Sequence, residues 1–363
     1  MTKKTKVYFY SMIPWENKLL HRAHMLAKYF DKLNMETYYV QRKPTFNLLN
    51  LFKKPLVTSD GLINVVNIYA LPYVRGRSKF VFKLNDIILK KAYKHIIDKD
   101  GKMIIQTPHW GKSVVKYGVK KSNIFYDISD DYLDFTDSLK WRTILKDYEE
   151  FICDKANKVF ISSLNLAVKS TQNKTIYIEN GVDIDSFSGA KPVIESKKKV
   201  IGFIGGIFDW IDFDLIDLVC SIFTDNEIAL IGPTNHFDKI ETLNKHKNFT
   251  YYGEVDKKEI ANYFASFDVG IIPFLSTDDY PRLKTVNSNK VYQYLYFGYP
   301  VVSTSFPQVD ELKNEIYVSK TKEKFALAPW QWIIVIPLVS TYFNIFEMTD
   351  KSNRLFCSNK VIS

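Results

Sequence analysis

Cysteine is scarce in this chain of 363 residues: Cys153, Cys220 and Cys357 stand far apart. They form no CxxC pair and no Cys/His cluster, which excludes a disulfide framework, argues against structural zinc and fits a reducing compartment. Acidic side chains are also in deficit, 40 Asp and Glu against 50 Lys and Arg. The deficit is uneven. Residues 1–125 hold 24 basic and 7 acidic side chains, a net of +17, and the remainder is left at −7. Such asymmetry points to a charged partner, and a nucleic acid is not expected because no binding motif accompanies the charge. The N-terminal MTKKTKVYFYSMIPW is basic and then only briefly apolar, too short and too polar for a signal peptide, so a cytoplasmic location is expected.

What is present suffices for large cores: 46% of residues are hydrophobic and 15% aromatic. The length favours two domains. Apolar strands are expected at Lys6–Tyr10, Thr37–Gln41, Leu62–Ile68, Lys102–Gln106, Asn123–Tyr126, Lys158–Ser162 and Thr175–Ile178. Helical periodicity runs between them, as over 18–30, where Leu19, Leu20, Ala23, Leu26, Ala27 and Phe30 share a face, and over 141–155. A polar stretch at 186–199, with Gly189, Pro192 and three closing lysines, reads as a linker. The alternation then restarts at Val200–Ile204. Strand alternating with helix implies a doubly wound parallel sheet, here twice. Two such domains in tandem, facing across a cleft, would bind ligands at their strand C-termini. The expected boundaries are 1–185, 186–199, 200–322 and a tail at 323–363.

The stretch Lys284–Thr304, KTVNSNKVYQYLYFGYPVVST, carries the clearest chemistry. Ser288 or Asn289 can cap a helix, Val291, Tyr294 and Leu295 share an apolar face, and Gly298 with Pro300 stops it before a buried strand. Lys284 and Lys290 flank the helix start, where free N–H groups and the dipole favour an anion. Gly202, Gly205 and Gly206 follow a strand and precede a helix, and can form a backbone nest for phosphate. The spacing is not GxGxxG, and no acidic residue is placed for a nicotinamide ribose.

In the order HisArgAlaHisMetLeuAla (21–27), TyrAspIleSerAspAspTyr (126–132), IleGluAsnGlyValAsp (178–183) and Asp268–Phe274 with Asn287–Val302, the chain resembles bacterial glycosyltransferases of the GT-B fold, the retaining, family-4-like enzymes of capsular and cell-wall polysaccharide synthesis. The resemblance covers roughly residues 6–322. It implies that Gly205 and Gly206 lie under a donor diphosphate, that Lys284 and Lys290 neutralise it as it leaves, and that Asn287 and Gln293 also meet the donor. In the acceptor half it implies His109 and Asp130 or Asp131 as groups that steer or activate the acceptor hydroxyl, and His21 and Arg22 as contacts to acceptor or phosphate. For His109 the competing reading is a loop histidine packed on Trp110; His24 reads as ordinary helix surface. Such folds need no cofactor, and the nucleotide sugar, a UDP-sugar by expectation, is a substrate. No metal is expected either, although Asp183-Ile-Asp185 and Asp130-Asp131 look like metal-binding pairs.

Two positions depart from the family pattern. The glutamate that grips the donor is Gln293 here, and an amide accepts more weakly than a carboxylate. The tail, Phe325–Phe346, runs without a charge and contains Pro329 and Pro337. It reads as membrane-embedded, as a docked apolar segment, or, preferred here, as an altered C-terminus. The expected partners are a nucleotide sugar, a saccharide or lipid-linked acceptor and an anionic membrane surface, which the basic run Arg75–Lys121 would suit as well as it suits a solvated helix face. The expected reaction is sugar transfer at the cytoplasmic membrane face. The alternatives are a catalytically weak scaffold of the same fold and a nucleotide-sugar epimerase.

Overall fold

The computed structural model describes residues 4–17, 21–73 and 79–335. Leu19, Leu20, Arg75, Arg77 and everything from Ile336 onward lie outside the described residues, and with them part of the expected first helix, of the basic run and of the tail. The chain divides into two compact units, 1–179 and 180–363.

The first unit runs β1 (Lys6–Tyr10), α1 (Arg22–Lys32), β2 (Glu36–Pro44), β3 (Leu56–Asp60), β4 (Ile63–Ala70), α2 (Lys79–Tyr93), β5 (Lys102–Ile105), α3 (Gly111–Tyr117), β6 (Ile124–Ile128), α4 (Leu139–Lys155), β7 (Lys158–Ile161) and β8 (Thr175–Tyr177). Its strands form one sheet in the order β3-β4-β2-β1-β5-β6-β7-β8. Every pairing is parallel except that of β3 with β4. The apolar run VYFY of β1 explains its central place, since a strand covered on both faces has no polar side to offer. β3 is different: all five of its residues are exposed, and only its hairpin to β4 holds it. α4 starts where Ser138 Oγ accepts the Trp141 N–H, and it buries Ile144, Leu145, Tyr148 and Ile152.

The second unit runs α5 (Ile184–Phe187), β9 (Val200–Ile204), α6 (Phe213–Ile222), β10 (Glu227–Ile231), α7 (Phe237–Leu243), β11 (Phe249–Gly253), α8 (Ile260–Ala265), β12 (Val269–Ile272), α9 (Asn289–Phe297), β13 (Val301–Thr304), α10 (Pro307–Glu311), β14 (Tyr317–Ser319) and α11 (Lys322–Val335). Its sheet is parallel throughout, in the order β11-β10-β9-β12-β13-β14. Two glycines let helices close on it. A Cβ at Gly202 would meet the Phe267 ring at 2.2 Å, and one at Gly270 would meet the Tyr294 ring at 2.7 Å.

The stretch expected as a linker, 186–199, lies within this second unit, where Phe187 and Ile194 are buried in its core. Two apolar anchors keep a polar segment on the domain surface. The described start of the uncharged tail docks likewise: Phe325, Ala326 and Ala328 are buried, and Lys322 Nζ sits 2.8 Å from Asp212 Oδ1 on the edge of α6. The backbone stays helical through Pro329. No described helix is long and apolar enough to cross a membrane.

Candidate functional site

In the second unit the carboxyl ends of β9 and β10 meet the start of α9. The chain leaves β9 through Gly205, at φ 142°, a conformation a side-chain-bearing residue rarely adopts. Its neighbours leave no space either. A Cβ there would lie 2.1 Å from Lys290 Cε, and a Cβ on Gly232 would lie 2.0 Å from the Gly205 carbonyl oxygen. Gly206 follows, its Cα facing the rings of Phe208 and Trp210. The glycine turn and Lys290, far apart in sequence, are thus in direct apposition.

Lys290 Nζ has no hydrogen bond or ion pair to any described residue. Its ammonium lies 5.4 Å from the Phe203 ring centroid and 6.0 Å from that of Phe274. Burial drives its pKa down to about 8, because a charge taken from water with no counter-ion is disfavoured. Gln293, one turn further along the same helix face, is half-buried. Tyr294 fixes the helix: its hydroxyl receives the Ile204 N–H at 3.3 Å and lies 3.3 Å from the Ile271 carbonyl oxygen. The expected cap is not made. Ser288 is the N-cap residue, but its Oγ is buried without a partner, as is Asn289 Oδ1, while Gln308 Oε1 accepts the Ser288 N–H at 2.5 Å. The positive end of α9 is thus not capped by Ser288 or Asn289 and lies beside an unneutralised ammonium.

Not every expected donor residue joins this group. Lys284 is exposed in the turn 281–285. Asn287 is buried as a bracket: its Oδ1 accepts from Asn180 N–H (3.3 Å) and Gln308 Nε2 (3.2 Å), and its carbonyl accepts from Asn180 Nδ2 (2.7 Å). It shapes the entry to α9.

In the first unit the acceptor candidates separate by environment. Arg22 is buried on α1, and its Nε donates to both Asp127 oxygens, at 3.1 and 3.0 Å, while Nη1 donates to the Glu179 carbonyl at 2.9 Å. Gln106 Nε2 adds a third donor to Asp127, at 3.1 Å. A guanidinium so compensated clamps the sheet edge. His21 precedes α1 and its N–H donates to His24 Nδ1 at 3.1 Å. His24, expected at the surface, is buried against Tyr39, and its Nε2 reaches the Pro14 carbonyl at 3.1 Å. It caps the helix, so it is not surface.

Asp131 is spent on structure, accepting from Leu133 N–H (3.0 Å) and from Lys169 Nζ (2.8 Å). Among the described residues Asp130 accepts from Ser129 Oγ alone, at 3.0 Å. Burial raises its pKa, and the nearby Asp127 and Asp131 add to the rise against Ser129 and Arg22. A carboxylate with raised basicity can take a proton from a hydroxyl. His109 packs on Tyr73 (4.9 Å) and Phe82 (5.6 Å), the contacts taking the place of the expected Trp110. Burial, and then the charge of Arg42, depress its pKa to about 3. It is neutral at physiological pH and a weak base, which counts against general-base duty. Arg42 and Tyr73, its neighbours, were not among the residues singled out in the sequence.

The comparisons with known proteins bear on this geometry. No family model matches the chain. Solved structures align along nearly its whole length: a sucrose-phosphate synthase from Thermosynechococcus elongatus, with a TM-score of 0.70 at 12% identity over 99% of this chain and 100% of that one, and an E. coli trehalose-6-phosphate protein bound with UDP-2-fluoro glucose, with 0.69 at 11% over 96% of each. The fold is GT-B. Among curated proteins the chain is 27% identical, over 187 residues, to the Bacillus subtilis "Putative teichuronic acid biosynthesis glycosyltransferase TuaH". It is 25% identical, over 250 residues, to an uncharacterized 41.2 kDa protein in the cps region of Klebsiella pneumoniae. The matches span 46% and 59% of those relatives, so this GT-B chain spans about half the length of the curated proteins it matches.

Proposed function

We propose that this chain is a retaining glycosyltransferase that moves a sugar from a UDP-sugar to a polysaccharide or lipid-linked saccharide at the cytoplasmic membrane face. One observation carries the reading: the Lys290 ammonium, without a counter-ion, over the glycine turn at Gly205 and beside the uncapped start of α9. That group wants two negative charges close to backbone, which is what a nucleoside diphosphate brings. As the bond between the anomeric carbon and the β-phosphate oxygen breaks, charge grows on the leaving oxygen. Lys290 and the helix dipole stabilise that charge where it develops. The acceptor hydroxyl bonds to the anomeric carbon and its proton passes to a leaving phosphate oxygen. Within the first unit Asp130 is the acidic-loop carboxylate not committed to a cation, since Asp131 is held by Lys169. Lys290 and the helix end take the part a metal would play, so none is required in this reading. The membrane and polysaccharide setting draws on the relative named for teichuronic acid synthesis and on the basic first half.

Titration of the full chain with UDP, GDP and their sugars is the test. UDP should bind, and Lys290→Met should weaken it at least tenfold and lower transfer or donor hydrolysis by about 10²–10³. Absence of binding by every nucleoside diphosphate would overturn the reading.

A further inference from the structure

Arg42 presents a buried positive charge that nothing in the described chain neutralises. It stands near the carboxyl end of β2, level with Ile68 of β4, and is only 8% exposed. Its Nη2 donates to the Leu71 carbonyl at 3.1 Å, and its guanidinium lies 3.8 Å from the centroid of the Tyr73 ring. Nε and Nη1 are buried with no hydrogen-bond partner, and no described carboxylate pairs with the group. The nearby Asp86 is already engaged by Lys116 Nζ (3.2 Å) and the Tyr148 hydroxyl (2.9 Å).

Two more buried polar atoms beside it are unpartnered, Tyr73 Oη and His109 Nδ1, on rings 4.9 Å apart. All three side chains sit at the carboxyl edge of one sheet, where open α/β folds take their ligands: Arg42 near the end of β2, Tyr73 just after β4 and His109 just after β5. A buried guanidinium without an anion is among the costliest arrangements a fold can keep, and orphaned donors add to that cost. The donors are also of one kind. Arg42 supplies N–H groups on Nε and Nη1, Tyr73 an O–H and neutral His109 an N–H in its Nδ1-protonated form, and no carboxylate stands among them.

We propose that Arg42, Tyr73 and His109 form an oxyanion site that takes a sugar-borne carboxylate or phosphate. That this sugar is the acceptor rests on the glycosyltransferase reading; that the site binds an oxyanion does not. A guanidinium with unused N–H bonds on Nε and Nη1 donates charge-assisted hydrogen bonds to the oxygens of such a group.

The probes are glucuronate, glucose 6-phosphate, inorganic phosphate and uncharged glucose, titrated into the full chain by calorimetry and followed by thermal unfolding. A charged sugar should bind and raise the melting temperature, and glucose should do neither. Which of the two charged sugars binds separates carboxylate from phosphate. Arg42→Met should fold, melt at or above the wild-type temperature without ligand, and lose at least tenfold in affinity. A purely structural arginine would instead make Met destabilising. Tyr73→Phe, which removes only the hydroxyl, should weaken the oxyanion several-fold and stands as the deciding variant if Arg42→Met does not fold. Lys290→Met should leave this binding intact while weakening that of UDP at least tenfold, so the two sites fail independently. The proposal is overturned if no charged sugar binds, if only inorganic phosphate does, or if affinity survives the Arg42 and Tyr73 substitutions.

Discussion

At the scale of single residues, an amine with a pKa near 8 ties ligand affinity to pH. Burial lowers the Lys290 pKa from 10.5 to about 8 in the free protein. A bound diphosphate supplies the missing counter-charge and raises it again. Below pH 8 the amine is already protonated and UDP affinity is full. Above pH 8 each binding event must take up a proton, so affinity should fall about tenfold per pH unit until the bound-state pKa is reached. Calorimetry from pH 7 to 9.5 should show that fall, with matching proton uptake, and Lys290→Met should flatten it. The lysine itself was legible in the sequence, since KVYQYLYFGYP marks a helix start with a cation on it. Its lack of a partner was not legible, because that depends on which acidic side chains the fold keeps away. The same holds for Arg42: nothing in TYYVQRKP shows that its charge ends up buried and alone. His24 misled for the related reason that a helix-start polar residue can turn inward once a backbone N–H needs an acceptor.

At the scale of elements, the helix α9 and the turn after β9 work as one device. Gly205→Ala would force a Cβ into a backbone region that disfavours it and into the Lys290 side chain. The variant should lose about 1–3 kcal/mol of stability in chemical denaturation and its UDP binding, whereas a mere turn glycine in open space, such as Gly253, would show no binding loss. Sequence reading located the elements with a sharp end or an apolar run, β1, β9 and α9 most sharply, and also β2, β4 to β8 and α4. It passed over β3, whose five residues face solvent and show no buried face, and β14, which is only three residues long. It also passed over α3 and α7, each seven residues and too short for periodicity to speak. The polar stretch 186–199 shows what composition leaves out. Composition registers average polarity, whereas Phe187 and Ile194 alone attach the segment to the second core.

At the scale of the whole molecule, the basic excess of residues 1–125 comes with an exposed apolar patch. Between β2 and β3, Phe46, Leu48, Leu49 and Phe52 are 66, 64, 75 and 82% exposed, next to Lys43, Lys53 and Lys54. Soluble surfaces seldom leave so many large apolar side chains together, and lysines beside them suit anionic headgroups. Cosedimentation with vesicles containing a third phosphatidylserine should capture the chain, whereas neutral vesicles should capture far less. Serine at Phe46, Leu49 and Phe52 together should reduce capture at least tenfold without changing UDP affinity. A triple variant that sediments like the wild type would remove this patch from the proposed membrane setting. The packing at Gly205, Gly232 and Lys290 has a consequence of another kind, in evolvability. Gly205 is hemmed in by Lys290 on one side and Gly232 on the other, so a residue with a Cβ at either glycine would disturb the arrangement. Drift in donor preference is therefore channelled to the bordering side chains, Gln293 and Phe208, and the anion cradle is inherited as a block.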